Sequence, residues 1–228
     1  MGVTGTDLRD LLSVHLQGTY RLVCPDQGGH GEGGRPYATA DAEADQLHRW
    51  LKEQGIGRIR LLLAMSLGVA CAMRLLQHDD IQVEHVHLDS SPMLDSAPLI
   101  RPLFTSAFLR VLHACKADPA RAVSRLVGLY GHGFAQTMVG NFMRMSEDDV
   151  RRMCTACCTG NLLPLGERMQ ERTVFEWGSD DFDLRLCRRK VERRYPKARI
   201  VVRTGYGHCG YLARNAASYV RELEASIA

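Results

Sequence analysis

The chain has 228 residues, enough for one domain with a full core and an inserted lid. Its 45% hydrophobic and 24% charged content is ordinary for a globular protein, and a net charge of +3 makes no case for nucleic acid as a partner. The most apolar run, 61–76, is interrupted by Arg74 and is shorter than the ~18–20 residues of a membrane span, while residues 1–25 carry Asp7, Arg9 and Asp10 and no apolar core, so neither a span nor a signal peptide is expected. The eight cysteines then read as free thiols in a reducing cytoplasm.

Apolar residues at 8, 11, 12 and 16 predict a helix over 6–17, with Thr6 as its cap and Gly18 as its end. Tyr20–Cys24 predicts a short buried strand. It runs into a glycine-rich loop, Pro25-Asp26-Gln27-Gly28-Gly29-His30-Gly31-Glu32-Gly33, which lacks the Lys-Ser/Thr that completes a phosphate-binding loop. His30 in this loop either holds it by hydrogen bonds or serves catalysis. Ala40, Ala44, Leu47 and Leu51 place a second helix over 40–54, closed by Gly55 and Gly57.

Ile59–Leu63 predicts a buried strand and Val69–Leu76 a helix, with Ala64-Met65-Ser66-Leu67-Gly68 between them. A serine where a strand becomes a helix, with small residues two before and two after it, has the pattern of a nucleophile elbow with Ala in the first glycine place. The other reading is a serine that merely caps the helix. In an elbow, a side chain larger than methyl at 64 or 68 would collide with its surroundings. The N-terminus of the following helix would favour a developing oxyanion. Ile81–Leu88 predicts the next strand, ending in Asp89-Ser90-Ser91-Pro92. Helices and strands alternate up to this point, which argues for an α/β fold with a mostly parallel sheet flanked by helices. Ligands in such sheets bind beyond the carboxyl ends of the strands, where Ser66 lies.

Residues 93–170 break the alternation and predict helices near 99–116, 119–130, 134–142 and 146–158, the last capped by Ser146 with Asp149 three residues on. Such an insertion is expected to form a helical lid over a core made of 1–92 and 171–228. Met138, Phe142, Met143, Met145 and Met153 either line an apolar pocket or fill a core. Cys154, Cys157 and Cys158 fall on one helix face. They read as a buried face or pocket lining, or as a metal or redox group, although no second cysteine pair completes a zinc site.

The alternation resumes with a strand over 172–177, the loop Gly178-Ser179-Asp180-Asp181-Phe182-Asp183, a basic helix over 184–195 and a last strand over 198–203. Gly205-Tyr206-Gly207-His208 and a closing helix over 213–227 follow. The arginines of the basic helix read as a solvated face. Ser66, the carboxylates at 180, 181 and 183, and His208 thus each follow a strand, in the order Ser, Asp, His. A serine hydroxyl is a poor nucleophile unless an imidazole takes its proton and a carboxylate orients the imidazole.

These motifs together resemble the α/β-hydrolase superfamily. Pro25 to Gly33 resembles its P-D-x-x-G-H-G-x-S loop, with Gly33 in the serine place. Ala64 to Gly68 resembles its elbow, Gly178 to Asp181 its G-x-x-D loop, and Gly207-His208 its G-H. The resemblance runs from about residue 19 to the C-terminus. It implies Ser66 as nucleophile, His208 as general base and acid, and Asp181 as the orienting acid, with Asp180 and Asp89 as alternative acids. The Leu67 N–H would be one oxyanion donor and the second would lie near Met1–Val3, at Gly2. The implied activity is hydrolysis of an ester or related acyl bond of a small molecule, with no cofactor and no metal. The alternative is a weak or inactive member that binds an apolar ligand or a protein partner. The resemblance leaves the strand before the family's H-G loop without a counterpart, since Met1-Gly2-Val3-Thr4-Gly5 resembles the tail of that loop. Either the chain is short at its N-terminus, or Tyr20–Cys24 pairs directly with the elbow strand. An exposed strand edge could also be covered in a homodimer.

Overall fold

The computed structural model describes residues 1–30, 34–95 and 100–228, so Gly31–Gly33 of the glycine-rich loop and Leu99 of the expected first lid helix lie outside the described residues. In chain order the elements are α1 (Gly5–Ser13), α2 (Ala40–Glu53), β1 (Arg58–Met65), α3 (Leu67–Leu75), β2 (Gln82–Asp89), α4 (Ile100–Ala117), α5 (Pro119–Tyr130), α6 (His132–Arg144), α7 (Glu147–Cys157), α8 (Glu167–Gln170), β3 (Thr173–Gly178), α9 (Phe182–Arg194), β4 (Arg199–Arg203) and α10 (Gly210–Ser226). The described strands form one parallel sheet in the order β1-β2-β3-β4.

The sheet is parallel because each connection returns over one of its faces through a helix. Alternation along β1 divides its side chains between two layers. Leu62 and Ala64 join Met73, Leu88, Phe175, Trp177, Cys187 and Val191 in the layer beneath α3 and α9. Leu61, Leu63 and Met65 face Leu12 of α1 and Leu212, Tyr219 and Leu223 of α10. Full burial of one such side chain stabilises the fold by ~1.5–3 kcal/mol, so this two-sided burial sets the register of β1.

The N-terminal segment departs from expectation in three ways, the first being that α1 ends at Ser13 rather than at Gly18. The cap of α1 is Thr4, whose hydroxyl accepts from the Asp7 N–H while the Asp7 carboxylate accepts from the Thr4 N–H. Thr6 lies inside the helix, because only the Thr4–Asp7 spacing satisfies both orphan groups. Tyr20–Cys24 is not a strand and does not pair with β1. It is held at both ends away from the sheet: the Gln17 and Gly18 N–H groups donate to the Glu224 carboxylate of α10, and the Gly5 N–H donates to Asp26. Gly5 sits so close to this segment that a Cβ on it would lie 1.9 Å from the Cys24 carbonyl oxygen. β1 is therefore an edge strand, and a cavity separates it from residues 19–25.

α4 to α7 build a core of their own. Leu112, Cys115, Val139, Phe142, Met145, Val150, Met153, Cys154 and Cys157 pack together and rest on Leu67 and Ala70 of α3. The Ser146–Asp149 capping box starts α7 as expected. Met145 and Met153 are core, Met138 and Phe142 also reach the cavity, and Met143 is exposed. Cys154 and Cys157 are buried on the inner face of α7 and Cys158 is half-buried. Burial pushes the Cys154 thiol up to about 12 and that of Cys158 up to about 11, as expected of packed apolar thiols. Among the described residues no helix is long and apolar enough to cross a membrane.

Candidate active site

Ser66, Ser90, Asp181 and His208 all stand at the carboxyl edge of the sheet. Register requires it: Met65 lies opposite Asp89, Asp89 opposite Glu176, and Gly178 opposite Arg203, so the four strands end within two residues of one another. Ser66 has φ +50 and ψ −125, a conformation that a side chain rarely adopts, and its N–H donates to the Asp89 carbonyl at 2.9 Å. Its hydroxyl makes no cap bond to α3, so the capping reading of this serine is set aside. The strained turn projects Oγ outward instead. A Cβ on Gly68 would meet the Ala64 Cβ at 3.9 Å, an ordinary contact, so a methyl would fit at 68.

The His208 Nε2 lies 2.8 Å from Ser66 Oγ. On the other side of the ring, Nδ1 lies 3.1 Å from Asp181 Oδ2 and 3.3 Å from Oδ1. With Nδ1–H donating to the carboxylate, Nε2 is free to accept the serine proton. Asp183 adds a second carboxylate, with Oδ2 3.5 Å from the same Nδ1. Asp181 and Asp183 are both buried. For Asp181, burial opposes ionisation, but the bond to His208 and its charge outweigh it and hold the carboxyl below its ordinary range. For Asp183, burial and the neighbouring Asp181 raise the pKa to about 6 despite His208. Burial works against the imidazolium of His208; the Cys209 side chain and Asp181 outweigh it, and its pKa lies well above the ordinary value.

The alternative acids are placed elsewhere. Asp180 is exposed and accepts from its neighbour Ser179. Asp89 is buried, accepts from Ser90 Oγ at 2.9 Å and from the Tyr219 hydroxyl at 3.3 Å, and has no bond to His208. Burial first, and the nearby Glu176 second, raise its pKa to about 6. His30 turns its Nδ1 to the Gly28 carbonyl at 3.2 Å, which fits the loop-holding reading.

Ser90 is a residue that sequence reasoning did not single out. Like Ser66 it has φ +50, and its Oγ accepts from the Cys209 N–H at 2.7 Å while donating to Asp89. It thereby fixes the backbone of the residue next to His208. The only sequence signal was its place directly after a predicted strand, in Asp89-Ser90-Ser91-Pro92.

The Leu67 N–H opens α3, where helix geometry leaves it without an intrahelical partner, and Leu67 lines the cavity that holds Ser66 and His208. Gly2 has φ +87 and is packed against Phe142, and its carbonyl accepts from Asn141 Nδ2 at 3.1 Å. Its neighbours Met1 and Val3 line the cavity that holds Ser66 and His208. That cavity has a volume of about 1110 Å³. Phe104, Phe108, Leu126, Phe134, Met138 and Phe142 wall it on the side of α4 to α6, so an acyl group beside Ser66 would meet apolar surface.

A family described as the alpha/beta hydrolase family matches residues 4–222. The chain belongs to the alpha/beta hydrolase family. Among solved structures, an alpha/beta hydrolase enzyme from a Medee basin deep-sea metagenome library aligns with a TM-score of 0.73 at 12% identity, covering 97% of this chain and 84% of the other. An esterase from Exiguobacterium antarcticum aligns at 0.71 and 14%, covering 98% and 87%. A bromoperoxidase from Bacillus anthracis aligns at 0.66 and 16%, covering 89% and 79%. At such identities the likeness carries the fold, and the reaction must be argued from this chain's own residues. A search of curated proteins found no match.

Proposed function

We propose that this alpha/beta hydrolase is a serine hydrolase that cleaves an ester or related acyl bond of a small molecule through an acyl-enzyme. The observation that carries the reading is the line Ser66 Oγ, His208, Asp181, with 2.8 Å on one side of the imidazole and 3.1 Å on the other. In this reading His208 Nε2 takes the Ser66 proton as Oγ attacks the acyl carbon. The same proton then goes to the leaving alcohol as its bond to the acyl carbon breaks. Asp181 keeps the ring oriented and stabilises the imidazolium. The Leu67 N–H and the segment at Gly2 are the proposed donors to the oxyanion. Water then repeats the sequence on the acyl-enzyme and releases the acid.

Residues 93–170 act as the lid that shapes the acyl pocket. The apolar wall from α4 to α6 favours an acyl group without charge. The eight free cysteines suit a reducing compartment, and we place the enzyme in the cytoplasm.

The test is hydrolysis of p-nitrophenyl acetate and butyrate by the wild type, Ser66→Ala and His208→Ala. The proposal expects both variants to lose ~10⁴-fold or more in kcat, as removal of a coupled nucleophile or base does. Turnover unchanged in Ser66→Ala would overturn it. A fluorophosphonate probe that labels the wild type and not Ser66→Ala separates a catalyst from a protein that only binds.

A further inference from the structure

At the opposite end of the sheet from Ser66, two histidines stack. The His48 and His78 rings lie with centroids 3.9 Å apart and planes 11° from parallel. His48 belongs to α2 and His78 to the connection between α3 and β2. Asp80, from the same connection, places Oδ1 2.7 Å from His48 Nε2, and Asp45, one turn before His48 on α2, places Oδ1 3.7 Å from His78 Nε2. One donor atom from each of His48, His78 and Asp80 falls within 4.8 Å of the others.

From this juxtaposition we propose a binding site for a divalent transition cation of the zinc class, with His48, His78 and Asp80 as ligands and Asp45 as the fourth. The donor set is the borderline one, two imidazole nitrogens and carboxylate oxygens, that suits Zn²⁺, Co²⁺ or Ni²⁺ better than Mg²⁺ or Ca²⁺. Donors on one tetrahedral zinc lie ~3.3 Å apart, given bonds of ~2.0–2.1 Å, so the three donors close on an ion by shifts of about 1.5 Å or less and a fanning apart of the stacked rings, while Asp45, 3.7 Å from His78, turns in from farther out. Both imidazoles are mostly covered, with 15% of the His48 side chain and 28% of that of His78 exposed. The carboxylates face solvent, which leaves an entry path. Two carboxylates would neutralise the charge of the ion. Lys52 does not obstruct this, because it holds the other oxygen of Asp80, Oδ2, at 2.6 Å.

The site ties the C-terminal half of α2 to the entry of β2. It is set apart from Ser66 by the length of α3, nine residues or about 14 Å at ~1.5 Å per residue. Its role is therefore structural. Binding stabilises the folded chain by mass action and leaves ester hydrolysis unchanged.

The experiment is a titration of chelator-treated protein with Co²⁺, read by absorption, followed by Zn²⁺ competition and thermal unfolding. The proposal expects a saturable spectrum of four- or five-coordinate cobalt without a thiolate charge-transfer band, one ion per chain, displaced by Zn²⁺, and a Tm raised by Zn²⁺. His48→Gln and His78→Gln should each weaken binding about tenfold or more and abolish the rise in Tm, while their Tm without metal confirms that they are folded. No spectral change at millimolar cobalt would overturn the proposal. So would a spectrum that survives in the double variant, a thiolate band, or binding that is lost in His208→Ala instead.

Discussion

Gly178 and Tyr206 meet backbone to backbone: a Cβ on Gly178 would lie 2.0 Å from the Tyr206 carbonyl oxygen. That contact joins the end of β3 to the loop that carries His208, and the Asp180 N–H donates to the same Tyr206 carbonyl at 3.0 Å. The glycine is thus what lets the Asp181 loop and the His208 loop approach each other. Gly178→Ala must push them apart. It should lower kcat/KM on p-nitrophenyl butyrate by about 10²-fold, the cost of misplacing a reacting group by roughly an ångström. Gly207→Ala, whose methyl meets nothing within 4 Å, is the control and should stay near wild type.

Two carboxylates face one imidazole nitrogen, so their variants should not behave alike. Asp181→Asn should lose ~10²–10⁴ in kcat/KM, because it removes the acceptor that sets the His208 tautomer. Asp183→Asn should lose far less. Asp183, with a pKa raised to about 6, is charged at neutral pH and helps to hold His208 protonated. Removing that charge should move the acid limb of the kcat/KM profile to lower pH. In the wild type this limb should sit above pH 6.5, the ordinary imidazole value, because His208 must be neutral to act as base and its pKa is raised. A limb at or below 6.5 in the wild type would count against this arrangement.

The same pair should appear in stability. Asp181 has a folded pKa below its unfolded value of 3.8, so its contribution is present above that pH and is lost as the pH falls through the folded value. His208 has a folded pKa above 6.5, so its contribution is fully present below 6.5 and is lost as the pH rises through the folded value. The urea-unfolding free energies of wild type and Asp181→Asn should therefore differ most between about pH 4 and 6.5, and converge as the pH falls through the folded pKa of Asp181 or rises through that of His208.

Ser90→Ala should destabilise the protein by ~1–3 kcal/mol, because the Cys209 N–H loses the acceptor it holds at 2.7 Å. The residue after His208 then lacks its anchor, so activity on p-nitrophenyl acetate should fall with little change in KM. Ser90→Thr, which keeps the hydroxyl, should retain more activity than Ser90→Ala. Chemical denaturation and steady-state kinetics measured together check both parts.

Met138 reaches the cavity from α6 and is only partly buried. Met138→Trp should fill space beside the acyl pocket and lower the butyrate-to-acetate ratio of kcat/KM several-fold, as loss of room for a methylene or two does. An unchanged ratio would place the acyl chain elsewhere in the cavity.

The sequence by itself determined the periodic elements and the order of the chemistry. The apolar run before Ser66, the break in alternation at 93–170 and the glycine-flanked His208 were all legible, because strand, helix and turn preferences are local. The four strands of the parallel sheet, the helical block and the Ser, Asp, His order follow from such local signals. Which of Asp180, Asp181 and Asp89 lies beside His208 Nδ1 is visible only in the tertiary structure, because it depends on which carboxylate the register of β2, β3 and β4 turns toward the ring. The tertiary structure likewise decided that Tyr20–Cys24 does not join the sheet. Its strand-like composition is outweighed by bonds to Glu224 and by the contact with Gly5, partners distant in sequence that no local pattern announces. The roles of Ser90 and of the His48–His78 pair were hidden for the same reason: each acts through a residue on another element, brought near only by the packing of the sheet.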